Sequence, residues 1–458
     1  MDWDEGPVVD GPFGPYRQSE RTHIYKEVAD KLMAAGMAYP CFCTPEELDQ
    51  KREAAEAAGE DPKYDGTWRD ADPAEVQKKL DAGEPYTVRF KVPEGKTCSI
   101  NDVVRGTVTW QAEECLGDFI ILRSNGFPVY NFCVAVDDAN MQITTVVRAE
   151  EHLSNTLRQL LVLEALGHPA PTYAHCSLIL GSDRSKLSKR HGATSVSQFS
   201  EQGFLPQAMM NYLANLGWND GTDKEIYSPQ ELVEAFDLDR VVKSAAVFDM
   251  DKLRWVNSQH LKALPEEDLV SLVTNYLTSP TDGSKPLLSG DIAAPTFVAQ
   301  GVKIAKKDME VINDAKPLIE KCLEYDLEQV LGGAGGDDEV AKVVREEGFG
   351  LLVTRFVSDY NSGSFPTGKE GEEFEAAFKS YVKALGKEFG IKGKGLFHPL
   401  RLALTGRMSG PDVGDQVKLL ALADGVLPAD SYTSLAARMK VLEGVDVDAL
   451  RDTLHVES

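Results

Sequence analysis

Four cations stand close together in the segment SDRSKLSKRHG. Arg184, Lys186, Lys189 and Arg190 fall within seven consecutive residues, although the whole chain carries a formal net charge of −25. A solvated surface loop is one explanation for such a cluster. The other is a site for a polyanion, because local Lys and Arg side chains bind phosphates even where the protein as a whole is acidic.

The position of this basic loop favours a phosphate site. The loop follows the apolar run CSLIL and a Gly-Ser-Asp turn, so its cations are expected beside the carboxyl edge of a parallel sheet, where nucleotides bind. It lacks the spacing of a P-loop, and no helix obviously begins there. Phosphate contacts would therefore come from side chains, and mobile lysines suit a leaving pyrophosphate whose charge grows during reaction.

The elements that must position this loop form a predicted βαβ unit. PVYNFCVAV, ITTVV and CSLIL are nearly continuous apolar runs, typical of strands buried on both faces. The helix-length segment EEHLSNTLRQLLVLEALG separates the last two, which predicts parallel strands joined by a helix. Polar side chains at the predicted strand ends are candidates for ligand contact: Asp137, Asp138, Arg148, Glu150 and Glu151.

The other segments predict a mixed module and a helical half. Between about residues 37 and 123, a helix capped at Thr44 precedes the alternating strand TVRFKV and the strand-like runs GTVTW and DFIILR. After the basic loop, LPQAMMNYLANLGW, SPQELVEAFDL and DMDKLRWVNSQHLKAL predict helices. Beyond about residue 265, predicted helices alternate with loops rich in Gly, Ser and Pro.

Composition limits the class of protein. The chain has 458 residues, 42% hydrophobic and 26% charged, so it can bury more than one core, and its length suggests about three domains. It contains no apolar run of the roughly 18 residues that a membrane helix needs and no secretory signal, which predicts a soluble protein. Seven scattered cysteines argue against a disulfide framework and favour a reducing compartment.

Several blocks of the sequence resemble one enzyme family. KLSKR, residues 186–190, is similar to the KMSKS signature of class I aminoacyl-tRNA synthetases, and SKLSKRHGATSV resembles its glutamyl-tRNA synthetase form. The other similar blocks, in the family's order, are DWDEGP, GPYRQSER, CFCTPEEL, VRFKVP, DVVRG, PVYNFCVAVDD, VVRAEEHLSNT, GFLPQAMMNYLANLGW, AVFDMDKLRWVN and KGKGLFHPLRLALTGRMSGP. The resemblance covers nearly the whole chain. It is strongest to plant and algal organellar members, which implies a chloroplast or mitochondrial location, or otherwise a cytoplasmic one.

The resemblance implies an α/β catalytic domain of the Rossmann type followed by all-α anticodon-binding domains. The implied divisions are the end of the first catalytic half at 1–36, an inserted acceptor-end-binding module at 37–123, the second catalytic half with the KLSKR loop at 124–200, a helical stem-contact segment at 201–265 and a helical anticodon-binding region at 266–458. The catalytic domain is expected to be incomplete, because the family's first strand and HIGH motif precede the position of Met1.

The implied reaction has two steps. Glutamate and ATP give glutamyl-adenylate and pyrophosphate, and the activated carboxyl group then passes to the terminal ribose of tRNA(Glu). Neither step needs a protein nucleophile, and the sequence contains no nucleophile elbow or recognisable triad. ATP is then a substrate with Mg2+ on its phosphates, and a monomer is expected.

The resemblance also assigns catalytic and glutamate-binding residues. Lys189 would be the principal cation on the pyrophosphate, with Lys186 and Arg190 in support. Arg148 would pair with the glutamate side-chain carboxylate, whereas without the family a salt bridge to Glu150 or Glu151 would explain it. The amino-acid pocket would be completed by Tyr130, Asn131, Phe132, Cys133 and Val134.

The ATP and tRNA contacts follow from the same resemblance. Glu151 would meet the ribose, and the backbone of Ile179 would meet the adenine. The remaining ATP-binding residues would be Lys186, Leu187, Ser188, Lys189 and Arg190. Phosphate contacts to tRNA would come from Arg401, Arg407 and the lysines of GIKGKG.

The sequence departs from the family at a common zinc site. Family members often complete the CxC pair, here Cys41 and Cys43, with a cysteine and a histidine that follow a YDG block. This chain has Trp68 and Asp70 in those places, so the four-ligand set is incomplete and no zinc is expected.

Three interpretations of function therefore stand at this point. The leading one is a glutamate–tRNA ligase; because the HIGH half of the site is missing, the chain alone is expected to lack pyrophosphate exchange. The second is a non-catalytic tRNA-binding or scaffold protein built from the same domains. The third, weaker one is a glutaminyl-tRNA synthetase, which generally has a β-barrel anticodon end where this sequence predicts helices.

Overall fold

The structure is a computed structural model that describes residues 3–192, 195–290, 294–332, 338–367 and 371–456. The chain divides into two units. The first comprises Met1–Leu187, Ala214–Lys224 and Val233–Phe248, and the second comprises Ser188–Leu213, Glu225–Leu232 and Asp249–Ser458. Among the described residues, no helix combines the length and apolar character that crossing a membrane requires.

The strands and the helices that lie among them occupy the first half of the chain. The helices up to residue 165 are α1 Thr22–Ala34, α2 Pro45–Ala58, α3 Pro73–Asp81, α4 Ala112–Cys115, α5 Tyr130–Asn140 and α6 Leu153–Ala165. The strands are β1 Ala38–Cys41, β2 Thr87–Phe90, β3 Thr97–Asp102, β4 Gly106–Gln111, β5 Phe119–Leu122, β6 Thr145–Ala149, β7 Thr172–Cys176, β8 Ile179–Leu180 and β9 Ala246–Val247.

The rest of the described chain is almost entirely helical, which confirms the predicted helical half. The helices are α7 Val196–Glu201, α8 Pro206–Asn215, α9 Pro229–Ala235, α10 Met250–Ala263, α11 Glu266–Thr278, α12 Pro295–Ala305, α13 Ala315–Leu323, α14 Leu327–Gly332, α15 Asp338–Arg345, α16 Glu347–Asn361, α17 Gly371–Glu388, α18 Lys394–Thr405, α19 Val413–Ala423, α20 Leu435–Glu443 and α21 Val447–Val456.

Small sheets organise the first unit. β1, β2 and β5 form an antiparallel sheet in the order β1-β2-β5, and β3 pairs antiparallel with β4. β6 pairs parallel with β7, and α6 lies between them in sequence, which confirms the predicted strand–helix–strand order, although the second strand is Thr172–Cys176 and shares only Cys176 with the predicted CSLIL. β8 and β9 form a second parallel pair. The carboxyl ends of β6 and β7 therefore lie side by side.

The predicted cap of α2 is confirmed. The Thr44 hydroxyl accepts a hydrogen bond from the Glu47 N–H at 3.2 Å, and the Glu47 carboxylate accepts from the Thr44 N–H at 2.9 Å. This reciprocal capping box satisfies two of the donors that every helix start leaves unpaired. The segment TPEE thus determines where the helix starts, with Pro45 in its first turn.

The strand predicted at PVYNFCVAV is wrong, because Tyr130–Asn140 form helix α5. A short apolar run does not by itself distinguish a buried strand from a buried helix. Here Phe132, Val136 and Ala139 are buried at helical spacing in the core of the first unit. Asp137 also lies inside the fold, where Arg21 Nε donates to it at 2.7 Å. It is therefore a structural partner of the segment before α1 and not a strand-end ligand.

The limits of the other two predicted strands also need correction. The CSLIL run is divided, since Cys176 ends β7 and Ile179 begins β8. Between them, the Ser177 hydroxyl donates to the Lys243 carbonyl at 2.7 Å. Strand β8 then pairs with β9, whereas β7 pairs with β6. β6 is not buried on both faces, because the Val147 side chain is 53% exposed.

Candidate active site and tRNA-binding region

The parallel pairing of β6 and β7 fixes the environment of Arg148. Arg148 and His175 are Cα partners on these strands. Arg148 Nε donates to His175 Nε2 at 3.1 Å, and Arg148 Nη2 donates to the Thr156 hydroxyl at 2.8 Å. The guanidinium carbon lies 5.4 Å from the centre of the Tyr173 ring. Neighbours on β7 and α6 therefore hold the guanidinium at the strand ends.

A salt bridge to Glu150 or Glu151 does not explain Arg148. The carboxylate of Glu150 pairs with Arg105 Nη2 at 2.8 Å, and that of Glu151 pairs with Lys186 Nζ at 2.6 Å. Both acids therefore have other cations as partners.

His175 is held in turn by Asp102, whose side chain is as fully buried as its own. His175 Nδ1 lies 2.6 Å from Asp102 Oδ2. Asp102 Oδ1 also accepts from the backbone N–H groups of Val104 at 3.0 Å and Arg105 at 2.8 Å. Burial opposes the charge of Asp102, but the backbone hydrogen bond from Arg105 and the bond from the His175 ring hold the pKa of this carboxyl below its usual value.

Burial lowers the pKa of His175 below its ordinary value. Asp102 acts against this shift, whereas the positive charge of Arg148 adds to it. The ring is therefore neutral near pH 7. Since ionised Asp102 only accepts, Nδ1 carries the proton and donates, and Nε2 accepts from Arg148.

Asp138 faces the same cluster from α5. Its Oδ2 is buried and has no hydrogen-bond partner in the described part of the chain. Burial raises the pKa of this carboxyl to about 6; Arg148 opposes that rise and Asp137 adds to it. The charge of Arg148 therefore acts on this carboxyl, although the two groups do not form a salt bridge.

The amino-acid pocket residues predicted around Tyr130 lie in two environments. Tyr130 begins α5 with 49% of its side chain exposed, and its ring centre is 5.9 Å from that of His152. Phe132 and Cys133 are buried in the core, and Val134 is partly buried. Core packing thus explains the Phe132 and Cys133 side chains without a ligand.

Asn131 links α5 to α6. Its Nδ2 donates to Asn155 Oδ1 at 3.3 Å, and its Oδ1 accepts from Gln159 Nε2 at 3.1 Å. Both partners are on α6, so the amide of Asn131 is oriented by the same helix that supplies Thr156 to Arg148.

Four of the residues predicted to bind ATP are brought together in the first unit. Glu151 lies in the 3-10 turn Glu150–His152, directly after β6, and pairs with Lys186. The Ile179 carbonyl accepts from the Leu187 N–H at 3.0 Å, and Leu180 forms an antiparallel bridge with Lys186. The start of the basic loop therefore folds back along β8.

The rest of the basic loop belongs to the second unit, which begins at Ser188. Residues Lys189–His191 form one turn of 3-10 helix, although no helix signal is visible there in the sequence. The side chains of Ser188, Lys189 and Arg190 are exposed.

The two arginines predicted to contact tRNA differ in their surroundings. Arg407 Nη2 pairs with Glu324 at 2.7 Å and with Asp326 at 3.1 Å. Arg401 Nη1 is buried and has no hydrogen-bond partner among the residues that the structure describes. Burial lowers the pKa of Arg401, against the influence of Asp412. Arg407 is thus paired with two carboxylates, whereas Nη1 of Arg401 has no hydrogen-bond partner in the described part of the chain.

Arg401 lines a cavity of about 530 Å³ between α17, α18 and the start of α19. The wall is apolar and includes Phe397, whose side chain is 56% exposed. The cations that line the cavity besides Arg401 are Lys379, Lys383, Lys387 and Lys392. An apolar cleft surrounded by cations suits a flat base joined to a phosphate backbone.

The region of Cys41 and Cys43 does not fit a zinc ion. Trp68 packs edge-on against Phe42 with ring centres 4.9 Å apart, and Asp70 pairs with Lys91 at 2.8 Å. Cys41 Sγ lies 3.4 Å from the Tyr64 hydroxyl. No group of three or more His, Cys, Asp or Glu side chains that could hold a metal occurs among the described residues.

Sequence reasoning missed the residues that surround Arg148. Asp102 was visible only as part of the DVVRG block, and neither Thr156 nor His175 was singled out. The signal was present, since His175 lies near the end of the buried segment TYAHC. Its use required the register of β6 against β7, which periodicity does not supply.

Comparisons with known proteins place these features in context. Residues 1–255 match the family model described as tRNA synthetases class I (E and Q), catalytic domain, and residues 370–421 match an anticodon binding domain. The glutamate–tRNA ligase of Carboxydothermus hydrogenoformans is 42% identical over 423 residues, covering 92% of this chain and 84% of the relative. That of Natranaerobius thermophilus is 41% identical over 420 residues, covering 92% and 83%.

A similar solved structure is the crystal structure of a glutamate tRNA ligase from Elizabethkingia meningosepticum in complex with its amino acid. It superposes with a TM-score of 0.77 and 27% sequence identity, covering 98% of this chain and 86% of that chain.

Proposed function

The chain belongs to the glutamate–tRNA ligase family of class I aminoacyl-tRNA synthetases, and from this premise we propose which of its residues bind each substrate. Its function is the ATP-dependent ligation of glutamate to tRNA. Activation gives glutamyl-adenylate and pyrophosphate, and transfer gives glutamyl-tRNA. Positioning and charge stabilisation are sufficient for both steps.

Arg148 selects glutamate by binding its side-chain carboxylate. The observation that carries this assignment is the way the guanidinium is held: His175 and Thr156 accept from Nε and Nη2 along one edge. The end of the guanidinium formed by Nη1 and the second Nη2 hydrogen can then bind a carboxylate with two hydrogen bonds. Glutamine offers a neutral amide with one acceptor oxygen, so this site discriminates against it. Tyr130, Asn131 and Val134 complete the pocket, and the core residues Phe132 and Cys133 support it from within the fold.

ATP lies along β8 and the basic loop. Glu151 meets the ribose, the backbone of Ile179 meets the adenine, and Lys186 to Arg190 line the phosphates. Lys189 is the main cation on the departing pyrophosphate, because a mobile ammonium can follow the charge that develops there. Mg2+ enters with the ATP phosphates as part of the substrate.

The tRNA is held along its length by the remaining domains. The module at 37–123 contacts the acceptor end, the segment at 201–265 contacts the stem, and the helical region at 266–458 contacts the anticodon arm. The match of residues 370–421 to an anticodon binding domain supports the last assignment, as does the cation-lined cavity beside Arg401. Arg401 and the lysines around the cavity are the main phosphate contacts, with Arg407 in a lesser role.

Three further assignments come from the family resemblance. The HIGH motif of the family supplies the ATP contacts opposite the basic loop. The similarity to plant and algal members favours a chloroplast or mitochondrial enzyme that acts as a monomer. A fluorescent fusion of the complete coding sequence tests the location, and sedimentation equilibrium tests the oligomeric state.

Pyrophosphate exchange tests the activity directly. The protein joined to an upstream segment that carries the HIGH motif should incorporate labelled pyrophosphate into ATP when glutamate and tRNA(Glu) are present. It should do so much less with glutamine. The Lys189→Ala variant should lower kcat by roughly a hundredfold or more with little change in KM. Retention of tRNA without any exchange would favour the non-catalytic binding protein, and exchange with glutamine would favour the glutaminyl enzyme.

A further inference from the structure

Arg148 depends on a buried chain of side chains that ends outside the amino-acid pocket. The chain runs from Asp102 on β3 through His175 on β7 to Arg148 on β6, with an Nδ1–Oδ2 distance of 2.6 Å and an Nε–Nε2 distance of 3.1 Å. Because β3 belongs to the antiparallel β3-β4 pair, these contacts link that sheet to the end of the β6-β7 pair.

The direction of each hydrogen bond in this chain is determined by its ends. Arg148 has only donors and ionised Asp102 has only acceptors, so the ring between them must donate through Nδ1 and accept through Nε2. The Thr156 hydroxyl also lies 3.2 Å from Nε2, so Nε2 is shared by Arg148 and Thr156. A proton on Nε2 could be accepted by Thr156 but would remove the acceptor for the Arg148 Nε–H. The contact with Arg148 therefore requires the Nδ1-protonated neutral ring.

The contacts also determine which edge of Arg148 faces a ligand. Nε and the adjacent Nη2 hydrogen form one of the two edges with which a guanidinium binds a carboxylate side-on. His175 and Thr156 occupy this edge, at 3.1 and 2.8 Å. Loss of the acceptor at His175 Nε2 would allow the guanidinium to rotate and turn that edge elsewhere.

We propose that His175 is a positioning residue for glutamate activation: Asp102 fixes its Nδ1-protonated tautomer, and its Nε2 orients Arg148 so that the end of the guanidinium receives the substrate carboxylate. This inference rests on the proposed role of Arg148 in binding glutamate. His175 touches no reacting atom and acts only through Arg148. Thr156 supports the same orientation from α6.

Two substitutions of His175 separate its two hydrogen bonds. In His175→Gln, the side-chain amide can place its oxygen where Nε2 accepts from Arg148. In His175→Asn, the shorter amide can donate to Asp102 but cannot reach Arg148. Both variants lose one bond and the packing of the ring, so a purely structural role predicts similar losses of activity in the two.

A third substitution reverses the tautomer. In Asp102→Asn, Oδ1 can still accept from the backbone N–H groups of Val104 and Arg105, so the turn is retained. The new amide donates to His175 Nδ1, which moves the ring proton to Nε2, where Thr156 can accept it and Arg148 loses its acceptor. The nitrogen NMR signals of the His175 ring should report Nδ1 protonation in the parent and Nε2 protonation in this variant.

The decisive measurement is the KM for glutamate and the KM for ATP in glutamate-dependent pyrophosphate exchange. The enzyme is the form joined to a segment that carries the HIGH motif. His175→Asn and Asp102→Asn should each raise the glutamate KM by roughly tenfold or more and leave the ATP KM within about twofold of the parent value. His175→Gln should keep both KM values within about threefold of the parent values. Adding His175→Asn to Arg148→Ala should cause no further rise.

The outcomes separate this inference from the proposed function. An unchanged glutamate KM in Arg148→Ala would overturn the role of Arg148 itself. A raised KM in Arg148→Ala with unchanged values in His175→Asn and Asp102→Asn would overturn only the positioning role. Equal effects of His175→Gln and His175→Asn would also overturn it, because the two variants differ in the acceptor for Arg148.

The same chain makes the pH profile informative. The titratable and charged groups that act on His175 from neighbouring elements are Asp102, Arg148 and His152, and Asp138 acts on Arg148. Protonation of His175 would remove the acceptor for Arg148, so in the parent the glutamate KM should rise as the pH falls through the lowered pKa of His175, while the ATP KM stays flatter. Because Asp138 near Arg148 has a pKa of about 6, the comparison is made in an Asp138→Asn background. There His175→Gln should lose this rise, and a rise retained in that variant would contradict the positioning role.

Discussion

The carboxylate of Glu151 lies 2.6 Å from the ammonium group of Lys186, so a residue proposed for the ATP ribose is paired with a cation proposed for the ATP phosphates. Both side chains are largely exposed, and the pair joins the turn after β6 to the loop after β8. In the free protein each group therefore holds the other close to the position where it is needed. ATP must compete with this pair for the lysine.

Lys186→Ala should therefore weaken ATP binding without unfolding the protein. The KM for ATP in pyrophosphate exchange should rise roughly threefold to tenfold, and the melting temperature should not change, because exposed ion pairs contribute little to stability. Lys96→Ala is the matched control, since Lys96 forms a similar exposed pair with Glu164 in the same unit. An equal effect of both variants on the ATP KM would contradict the assignment of Lys186.

Lysines that line the cavity beside Arg401 should govern tRNA affinity. Lys383→Ala and Lys387→Ala should each weaken tRNA binding severalfold, and each should reduce the slope of log affinity against log salt by about 1 if its ammonium group neutralises one phosphate. Lys440→Ala is the control, because Lys440 is an exposed lysine on α20 that does not line the cavity. Filter binding at several salt concentrations measures both quantities. If the salt slopes of both variants equal that of the control, the surface around this cavity does not bind tRNA phosphates.

The sequence is sufficient for the elements with an unambiguous local signal. The capping box at Thr44, a strand at Thr87–Phe90 and the strand–helix–strand order around α6 are all predicted. Each depends on spacing within one segment, which a sequence displays directly. The predicted alternation of burial in the strand at Thr87–Phe90 is wrong, because Arg89 is buried as well as Val88 and Phe90. The family blocks add the function, because they match an enzyme family over nearly the whole chain.

What the sequence does not supply depends on contacts between distant segments. The residues of α5 predict a strand because their apolar run is short. They form a helix instead, because helical spacing buries their apolar side chains in the core of the first unit. The chain from Asp102 through His175 to Arg148 includes a contact between Asp102 and His175, which are 73 positions apart, so it depends on how distant strands pack. Arg407 resembles a tRNA contact in sequence, but in the fold Glu324 and Asp326 lie beside it.

Metal analysis of the purified protein should find no stoichiometric zinc. Cys41 and Cys43 supply two thiols, while Trp68 and Asp70 replace the remaining ligands of the family site, so the tetrahedral set is incomplete. Chelator treatment should leave the melting temperature unchanged. One zinc per chain that is lost in Cys41→Ala would show that other ligands complete the site.

Asp138 should make stability depend on pH between about 4 and 6. Burial raises its pKa to about 6, so the folded state retains a proton that the unfolded state has released, and the contribution of Asp138 to stability falls as the pH rises through this window. Asp138→Asn should remove that fall. Between pH 4 and pH 7 its free energy of unfolding should increase relative to that of the parent by on the order of 2 kcal/mol, after allowance for the partial exposure of Asp138.

Urea unfolding at a series of pH values measures this difference. The groups that act on Asp138 are Arg148 and Asp137, so the carboxyl signal of Asp138 should also be followed by NMR. A difference between parent and variant that does not change with pH, or a carboxyl that titrates near 4, would contradict the raised pKa.

Arg438 should contribute strongly to the stability of the second unit. Its side chain is fully buried, and it donates to the carbonyls of Leu404 at 2.9 Å, Cys322 at 3.0 Å and Glu324 at 2.8 Å. Burial lowers its pKa to about 10, yet the guanidinium remains charged at neutral pH. It therefore ties α20 to the ends of α13 and α18.

Arg438→Ala should lower the free energy of unfolding by about 3 to 5 kcal/mol, because it leaves several buried carbonyls without donors and opens a cavity. Arg438→Lys should recover part of this loss, since an ammonium group can reach some of the same carbonyls but lacks the planar fork. Lys440→Ala on the same helix is exposed and should change the value by less than about 0.5 kcal/mol. Urea unfolding followed by far-ultraviolet circular dichroism compares the three variants, and a loss in Arg438→Ala no larger than that in Lys440→Ala would show that these hydrogen bonds do not hold the helices together.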